Sequence, residues 1–512
     1  MPERSATFSE PDVPPQSEPP AGPPDAGPPA GVPQVAEIIQ TVFTGLILAF
    51  IFRAFLVEPF IIPTGSMADT LLGAHATRTC PACGWEFNFA PLRSSAGIGN
   101  AFVVPPEVVC PNCQLAFAAT PANTAPKAGD RVLVHKWPYA LGGFLGPRRW
   151  DVIVFRDPAD PEQHYIKRLV GLPNETIEIV AGDVFINGQI ARKPPDVQEA
   201  LWFVVFDQAH LPDPGARSGR QPRWSASDAG EPEHPGWSGM ETRVIRYDGL
   251  DQTPRALAFN PDTGPEYLLD FCAYNRRSSG EFVGDVRIVT ELVLEGGDGA
   301  CRWELTRPPE RCTAELQRDG NVQIRLEPLH GPGRVVTLRS SRPALVFGRP
   351  VAVEFGHVDY RVYLKIDGRE VLATTAADYA PQLDALRNEA FDRPVGLHIE
   401  ARNLRLELRR LRIDRDVQYT CRAPEARRAC AGKPFALQAN EYFVLGDNSP
   451  DSHDSREWTE FGRYLPADYR VGTVRRDQIV GEAAFVYLPG LLPLGSRGRW
   501  SVPDVGRMRF VH

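Results

Sequence analysis

Asp151-Val152-Ile153-Val154-Phe155-Arg156 and His164-Tyr165-Ile166-Lys167-Arg168-Leu169-Val170-Gly171-Leu172-Pro173 are two apolar runs separated by the polar stretch 157–163. Short runs rich in Val, Ile, Phe and Tyr, closed by charge or by Gly and Pro, form strands rather than helices. Outward from them, Asp130-Arg131-Val132-Leu133-Val134-His135-Lys136 alternates weakly. Asp183-Val184-Phe185-Ile186-Asn187-Gly188-Gln189-Ile190 carries Asn-Gly between apolar stretches, the signal of a type I′ hairpin. Together these pieces predict a small, coiled antiparallel sheet.

Further along, the stretch 207–239 is rich in Pro, Gly, Ser and charge. Short strand patterns then recur at 287–294, 322–326, 351–355, 360–366 and 404–408, with turn residues between them. Such spacing predicts a β-sandwich of jelly-roll type. Its strand, Asp367-Gly368, strand unit resembles the hairpins of laminin-G and concanavalin-like folds. Beyond Cys430 the first pattern resumes at Glu441-Tyr442-Phe443-Val444-Leu445. The fold class expected is therefore mainly β. A catalytic unit at 58–194 and 429–512 is interrupted by an inserted sandwich at 195–428, an interruption that a surface loop tolerates.

The first 34 residues hold eleven prolines and almost nothing that could build a core, which predicts a disordered tail. Residues 35–57 are mostly apolar and free of proline, a length expected to span a bilayer as a helix, with Arg53 snorkelling near one end. A net charge of -8 argues against a nucleic-acid partner bound by bulk electrostatics.

Cys80-Pro81-Ala82-Cys83 and Cys110-Pro111-Asn112-Cys113 are two C-x2-C knuckles, within a ribbon-like segment 78–116. Four thiolates in two such knuckles suit tetrahedral Zn²⁺; the alternative is two disulfides in an oxidising compartment. Either Cys421 with Cys430 or Cys301 with Cys312 has the spacing for a disulfide, leaving Cys272 as a buried thiol.

The chain's blocks, in order, are an apolar helix, Pro63-Thr64-Gly65-Ser66-Met67, Gly129-Asp130-Arg131-Val132-Leu133-Val134, Asp151 to Phe155, Tyr165 to Pro173, and Gly446-Asp447-Asn448 with Ser452-His453-Asp454-Ser455-Arg456. This order resembles the bacterial type I signal peptidases, over residues 37–73, 129–190 and 441–488. The resemblance implies a membrane-anchored endopeptidase that needs no cofactor for catalysis. Ser66 would be the nucleophile, Lys167 its general base, and the Ser66 N–H with the Thr64 hydroxyl the oxyanion hole. Ser452 would hydrogen-bond the lysine, Asp454 and Arg456 would form a bracing ion pair, and Gly446, Asp447 and Asn448 the adjoining turn. Where the family often continues with Arg-Asp-Asn, this chain has Ser449-Pro450-Asp451.

The chemistry suits these residue types. A serine hydroxyl is a weak nucleophile, and burial can lower a lysine pKa until the amine is neutral and basic near physiological pH. The resemblance also implies the partners: signal peptides of exported preproteins, cut after a small-x-small sequence, with the membrane and the secretion translocon nearby. The catalytic unit would lie on the outer, periplasmic side of the inner membrane. An extended substrate would pair with a strand edge, for which Pro59 to Pro63 and Asp130 to Val134 are the expected flanks. Met67 would either wall the cleft or pack in the core. Two other readings are a repressor-type Ser/Lys autoprotease and an inactive, anchored binding protein.

Overall fold

The computed structural model describes residues 32–93, 102–119, 126–212, 222–226, 236–259, 268–275, 280–388, 396–421, 428–489, 491–494 and 500–512. The expected tail, but for its last three residues, lies outside them. The described residues fall into two compact units, divided between Phe55 and Leu56.

In the first unit a helix runs over Val32–Ile51, followed by a π-helical turn at Phe52–Leu56. Val35, Ile38, Ile39, Val42, Phe43, Leu46, Ile47, Leu48 and Phe50 are exposed on it. The helix stops short of the expected 35–57 span, because Val57 already begins a strand. Among the described residues no helix is long and apolar enough to cross a membrane. Glu37, Gln40, Thr41 and Thr44 put polar groups into its early turns, and the Thr41 hydroxyl bonds back to the Glu37 carbonyl at 2.8 Å.

The second unit contains the predicted antiparallel sheet. Its strand order is Val57–Ile61, Arg131–His135, Ile479–Leu488, Val152–Arg156, His164–Gly171, Glu441–Leu445 and Val474–Arg475, with Arg509–Phe510 paired to Ile479–Leu488. Both faces are covered. Val132, Val134, Val152, Val154 and Ile166 pack with Ile62, Met67 and Leu71, whereas Ile153, Phe155, Leu169 and Val444 pack with Tyr442 and Trp458. Successive strand side chains point to opposite faces, so burial on both makes the runs continuously apolar. Met67, fully buried, is a core residue. A second sheet, Gln189–Ile190, Asp183–Ile186, Thr176–Val180 and Phe435–Ala436, contains the Asn187-Gly188 turn, with φ of 52° and 78°. Positive φ at both positions is the type I′ geometry.

Among the described residues, the stretch 195–428, where a jelly-roll-like sandwich was expected, is built mainly of strands. Hydrogen bonding joins these strands into one 13-stranded sheet built around Val286–Arg307 and Gly396–Arg415, strands of 22 and 20 residues. The register between these two slips at Val289/Glu291, Leu294/Gly296 and Gly297/Ala300. Bulges bend and twist a strand, and the segment's core includes Trp224, Trp303, Phe355 and Leu408. The Asp367-Gly368 hairpin is present, again with both φ values positive.

Cys421 and Cys430 form a disulfide, while Cys301 and Cys312 are separate buried thiols. In the register of their neighbouring strands Cys301 faces Leu316 and Cys312 faces Leu305, so the two are not opposed. Cys272 is a buried thiol, as expected, and burial pushes its pKa up to about 12.

Candidate active site

Ser66 lies on the loop that leaves the edge strand Val57–Ile61. Asp130 ties this loop at both ends: its carbonyl accepts from Ile62 N at 2.9 Å, and its carboxylate accepts from Leu72 N at 3.0 Å. Between those ties, Ala68 N donates to the Gly65 carbonyl at 2.9 Å and Leu71 N to the Met67 carbonyl at 2.8 Å, closing a compact turn. Thr64, two residues before Ser66, is exposed.

Lys167 comes from the strand His164–Gly171, and its Nζ lies 2.5 Å from Ser66 Oγ. Both side chains are buried. Burial is the largest influence on the Lys167 amine and pushes its pKa down to about 8; Asp454 works against the shift and Arg456 with it. Removing an ammonium from water favours its neutral form, the form that can take a proton. A serine hydroxyl beside a neutral amine donates to it.

The loop after Glu441–Leu445 closes the site. Gly446 N donates to Asp454 Oδ2 at 3.0 Å, and Arg456 pairs with the same carboxylate through Nε at 2.8 Å and Nη2 at 2.7 Å. Burial alone would raise the Asp454 pKa, but the Arg456 charge and hydrogen bonds hold it below the ordinary carboxylate value. The Ser452 hydroxyl donates to Asp454 Oδ2 at 2.8 Å. Among the described residues this bond, rather than the expected one to Lys167, engages its side chain. A Cβ on Gly446 would stand 2.2 Å from Ser452 Oγ and 2.4 Å from the Ser66 carbonyl oxygen, so only glycine fits. Asn448 N donates to the Ser66 carbonyl at 3.1 Å, and its Nδ2 to the Gly65 carbonyl at 2.8 Å.

The fold thus gathers Ser66, Lys167, Gly446, Asp447, Asn448, Ser452, Asp454 and Arg456 into one place. Sequence reasoning missed several neighbours. Asp447 accepts from Arg168 Nε and Nη2, both at 2.7 Å, in a fully buried pair. A charged residue inside an apolar strand run was the available signal for Arg168. The Ser449 hydroxyl accepts from Arg456 Nη1 at 2.7 Å. Tyr274 and Asn275 reach the Ser66 loop from the connection between the strands Arg255–Phe259 and Val286–Arg307, and no local pattern marks them.

The strand 131–135 is not an available edge. It pairs with Val57–Ile61 on one side and Ile479–Leu488 on the other, so its backbone groups are committed. The outer edge of Val57–Ile61 ends the sheet. Lys167, Ile166 and Tyr165 pair only with Val152–Arg156, because the pairing with Glu441–Leu445 begins at Arg168.

Apart from this site, Cys80, Cys83, Cys110 and Cys113 place their sulfurs within 4.8 Å of one another. The Cys80–Cys113 and Cys83–Cys110 separations are 3.6 Å, and none of the four is disulfide-bonded. Each knuckle folds alike: Cys80 N donates to the Trp85 carbonyl and Gly84 N to that of Cys80, while Cys110 N donates to Leu115 and Gln114 N to Cys110. Four sulfurs at about 2.3 Å from a tetrahedral zinc stand about 3.8 Å apart, so the set fits that ion.

A family model described as signal peptidase, peptidase S26, matches residues 118–202 and 360–488. The signal peptidase I of Pseudomonas fluorescens is 28% identical over 172 residues, covering 31% of this chain and 41% of that protein. That of Pseudomonas aeruginosa is 26% identical over 171 residues, with the same coverage. The signal peptidase I of Leptolyngbya laminosa is 38% identical over 84 residues, 14% of this chain and 40% of that protein. This chain therefore spans about two-fifths of the length of these relatives.

Proposed function

Since the chain is a relative of the bacterial type I signal peptidases, we propose that it is a serine endopeptidase that removes N-terminal signal peptides from exported preproteins. The observation that carries this reading is the buried Ser66–Lys167 contact at 2.5 Å, with the lysine pKa held near 8.

The neutral Lys167 amine takes the Ser66 hydroxyl proton as Oγ bonds to the scissile carbonyl carbon. The resulting oxyanion is met by the Ser66 N–H and the Thr64 hydroxyl, and aligned donors of this kind lower such barriers by about 3 kcal/mol each. As the C–N bond breaks, the lysine proton passes to the departing amine and an acyl-enzyme remains. Lys167 then deprotonates the water that cleaves the ester, which restores Ser66. Asp454, braced by Arg456, and the Ser452 hydroxyl fix the walls around the amine. A substrate strand with small residues at alternate positions pairs beside the free backbone of Tyr165 to Lys167 and the edge of Val57–Ile61, and shallow pockets reject larger side chains.

The exposed apolar residues of the Val32–Ile51 helix attach the enzyme to the inner membrane, with catalysis on the periplasmic side and the translocon nearby. Zn²⁺ held by Cys80, Cys83, Cys110 and Cys113 stiffens the segment 78–116 and takes no part in the reaction. The segment 195–428 interrupts a catalytic unit that resumes at 429.

The test is cleavage of a preprotein in detergent by the wild-type chain, Ser66→Ala and Lys167→Ala, with product masses locating the cut. Cutting after small-x-small by the wild type alone is expected. Failure of the folded wild type to cut any of several preproteins would overturn the reading. Retention of the chain in membranes after alkaline washing, lost when residues 32–51 are deleted, tests the attachment.

A further inference from the structure

The Gly65 carbonyl and the Ser66 N–H belong to one planar peptide unit, so whatever holds the carbonyl also aims the N–H. Two donors hold it: Ala68 N at 2.9 Å and Asn448 Nδ2 at 2.8 Å. Asn448 is itself held. Its amide forms a two-way pair with that of Asn275, in which Asn275 Nδ2 donates to Asn448 Oδ1 at 2.6 Å and Asn448 Nδ2 donates to Asn275 Oδ1 at 2.8 Å. Each amide has one acceptor and two donors, so with Nδ2 turned to the Gly65 carbonyl the pair with Asn275 satisfies Asn448 Oδ1 and the second Nδ2 hydrogen.

The segment that carries Asn275 is anchored to the same loop. The Tyr274 hydroxyl donates to the Ala74 carbonyl at 2.8 Å, and the Tyr274 carbonyl accepts from Ala90 N at 2.8 Å. The Tyr274 ring lies so close to Gly65 that a Cβ there would stand 1.8 Å from Cε1. Asn275 N donates to the Cys272 carbonyl at 3.2 Å, and Cys272 and Tyr274 pack with Ala68 and Leu72 of the nucleophile loop.

We infer that Asn275 is a positioning residue for the proteolytic reaction: through Asn448 it fixes the peptide that presents the Ser66 N–H, and so makes residues 272–275, in the connection between Arg255–Phe259 and Val286–Arg307, part of the catalytic architecture. This rests on the serine-peptidase reading above. An unanchored Asn448 amide can turn, which lets the Gly65–Ser66 peptide tilt away from the developing oxyanion. Donors in such a hole act through their pre-set direction. The loss therefore falls on kcat rather than on KM, because a tilted donor weakens the transition state and not the strand pairing that binds substrate.

The experiment uses the full-length chain and a preprotein cleaved by the wild type but not by Ser66→Ala. Asn275→Ala should lower kcat about tenfold, with KM and the shape of the pH profile unchanged. Asn275→Asp keeps the acceptor for Asn448 Nδ2 but sets a carboxylate oxygen against Asn448 Oδ1 where an N–H donated, so it should not recover the loss. The double variant Asn275→Ala/Asn448→Ala should be no slower than Asn448→Ala alone, since one residue acts through the other. Thermal melts of every variant accompany the kinetics. Wild-type rates for a folded Asn275→Ala, additive losses in the double variant, or an effect confined to KM would overturn the inference. If Asn275→Ala does not fold, the Asp variant decides: a folded Asp variant with wild-type kcat overturns it. No cleavage by the wild type would instead strike the serine-peptidase reading itself.

Discussion

Lys167 Nζ and Ser66 Oγ stand 101 residues apart in the chain and 2.5 Å apart in space. One is held on a strand in the middle of a sheet and the other on a loop that Asp130 ties down. Hydrogen bonds from Ile62 N and Leu72 N to Asp130 hold the loop that carries Ser66.

Replacement of either partner tests the chemistry. Ser66→Ala and Lys167→Ala should each reduce preprotein cleavage by at least about a thousandfold with little change in melting temperature. Lys167→Arg should be as inactive as the alanine variant, because a guanidinium stays protonated and cannot serve as a base. A quantitative gel or mass-spectrometric cleavage assay reads all three.

The pH dependence follows from the Lys167 amine, lowered from 10.5 to about 8 chiefly by burial. kcat/KM should rise with pH as the amine loses its proton around 8 and level off above that. The folded amine binds its proton less tightly than the unfolded one. Between about 8 and about 10.5 the unfolded chain therefore holds more protons, and this residue makes stability rise with pH across that window. An activity profile flat from about pH 6 to about pH 10 would show that Lys167 is not the base.

Asp447 and Arg168 form a bidentate pair with both side chains fully buried. Asp447→Ala leaves the guanidinium buried without its counter-charge and should cost about 3–5 kcal/mol of stability. Urea unfolding of the variant beside the wild type measures this, and a loss below about 1 kcal/mol would contradict the assignment.

Gly446→Ala forces a methyl to within 2.4 Å of the Ser66 carbonyl oxygen, a backbone atom that can move only by shifting Ser66. Activity should fall by more than about tenfold. Gly45→Ala, whose Cβ would meet nothing within 4 Å, is the control and should cleave like the wild type.

For the four-cysteine cluster, elemental analysis of purified protein should find one zinc per chain. Chelation should lower the melting temperature, and Cys83→Ser should abolish the zinc content. Zinc-free protein with Cys80, Cys83, Cys110 and Cys113 oxidised in pairs would reject the metal in favour of disulfides.

Much of this was legible locally. The 152–156 and 164–171 strands were visible because burial on both faces leaves an unbroken apolar run, and Asn187-Gly188 and Asp367-Gly368 because their turns require positive φ. The two knuckles were visible by their spacing, and the Ser66 and Lys167 blocks by an order that resembles the type I signal peptidases. Helix length was misjudged at its C-terminal end, since pairing of Val57 with His135 recruits an apolar run into a sheet.

What only the tertiary structure decided was which segments meet. Local periodicity encodes the faces of a strand but not its neighbours, so nothing near Asp130 to Val134 reveals that both edges of that strand are occupied. Two equally plausible cysteine spacings gave one disulfide and one pair of separate thiols, because sheet register placed Cys301 and Cys312 out of opposition. The Arg168–Asp447 and Asn275–Asn448 pairs join residues 279 and 173 positions apart. By itself the sequence determined many of the strands and turns and the residue types of the candidate site. The geometry that aims Ser66 comes from contacts formed after those strands have paired, where burial and long-range hydrogen bonding outweigh local preference.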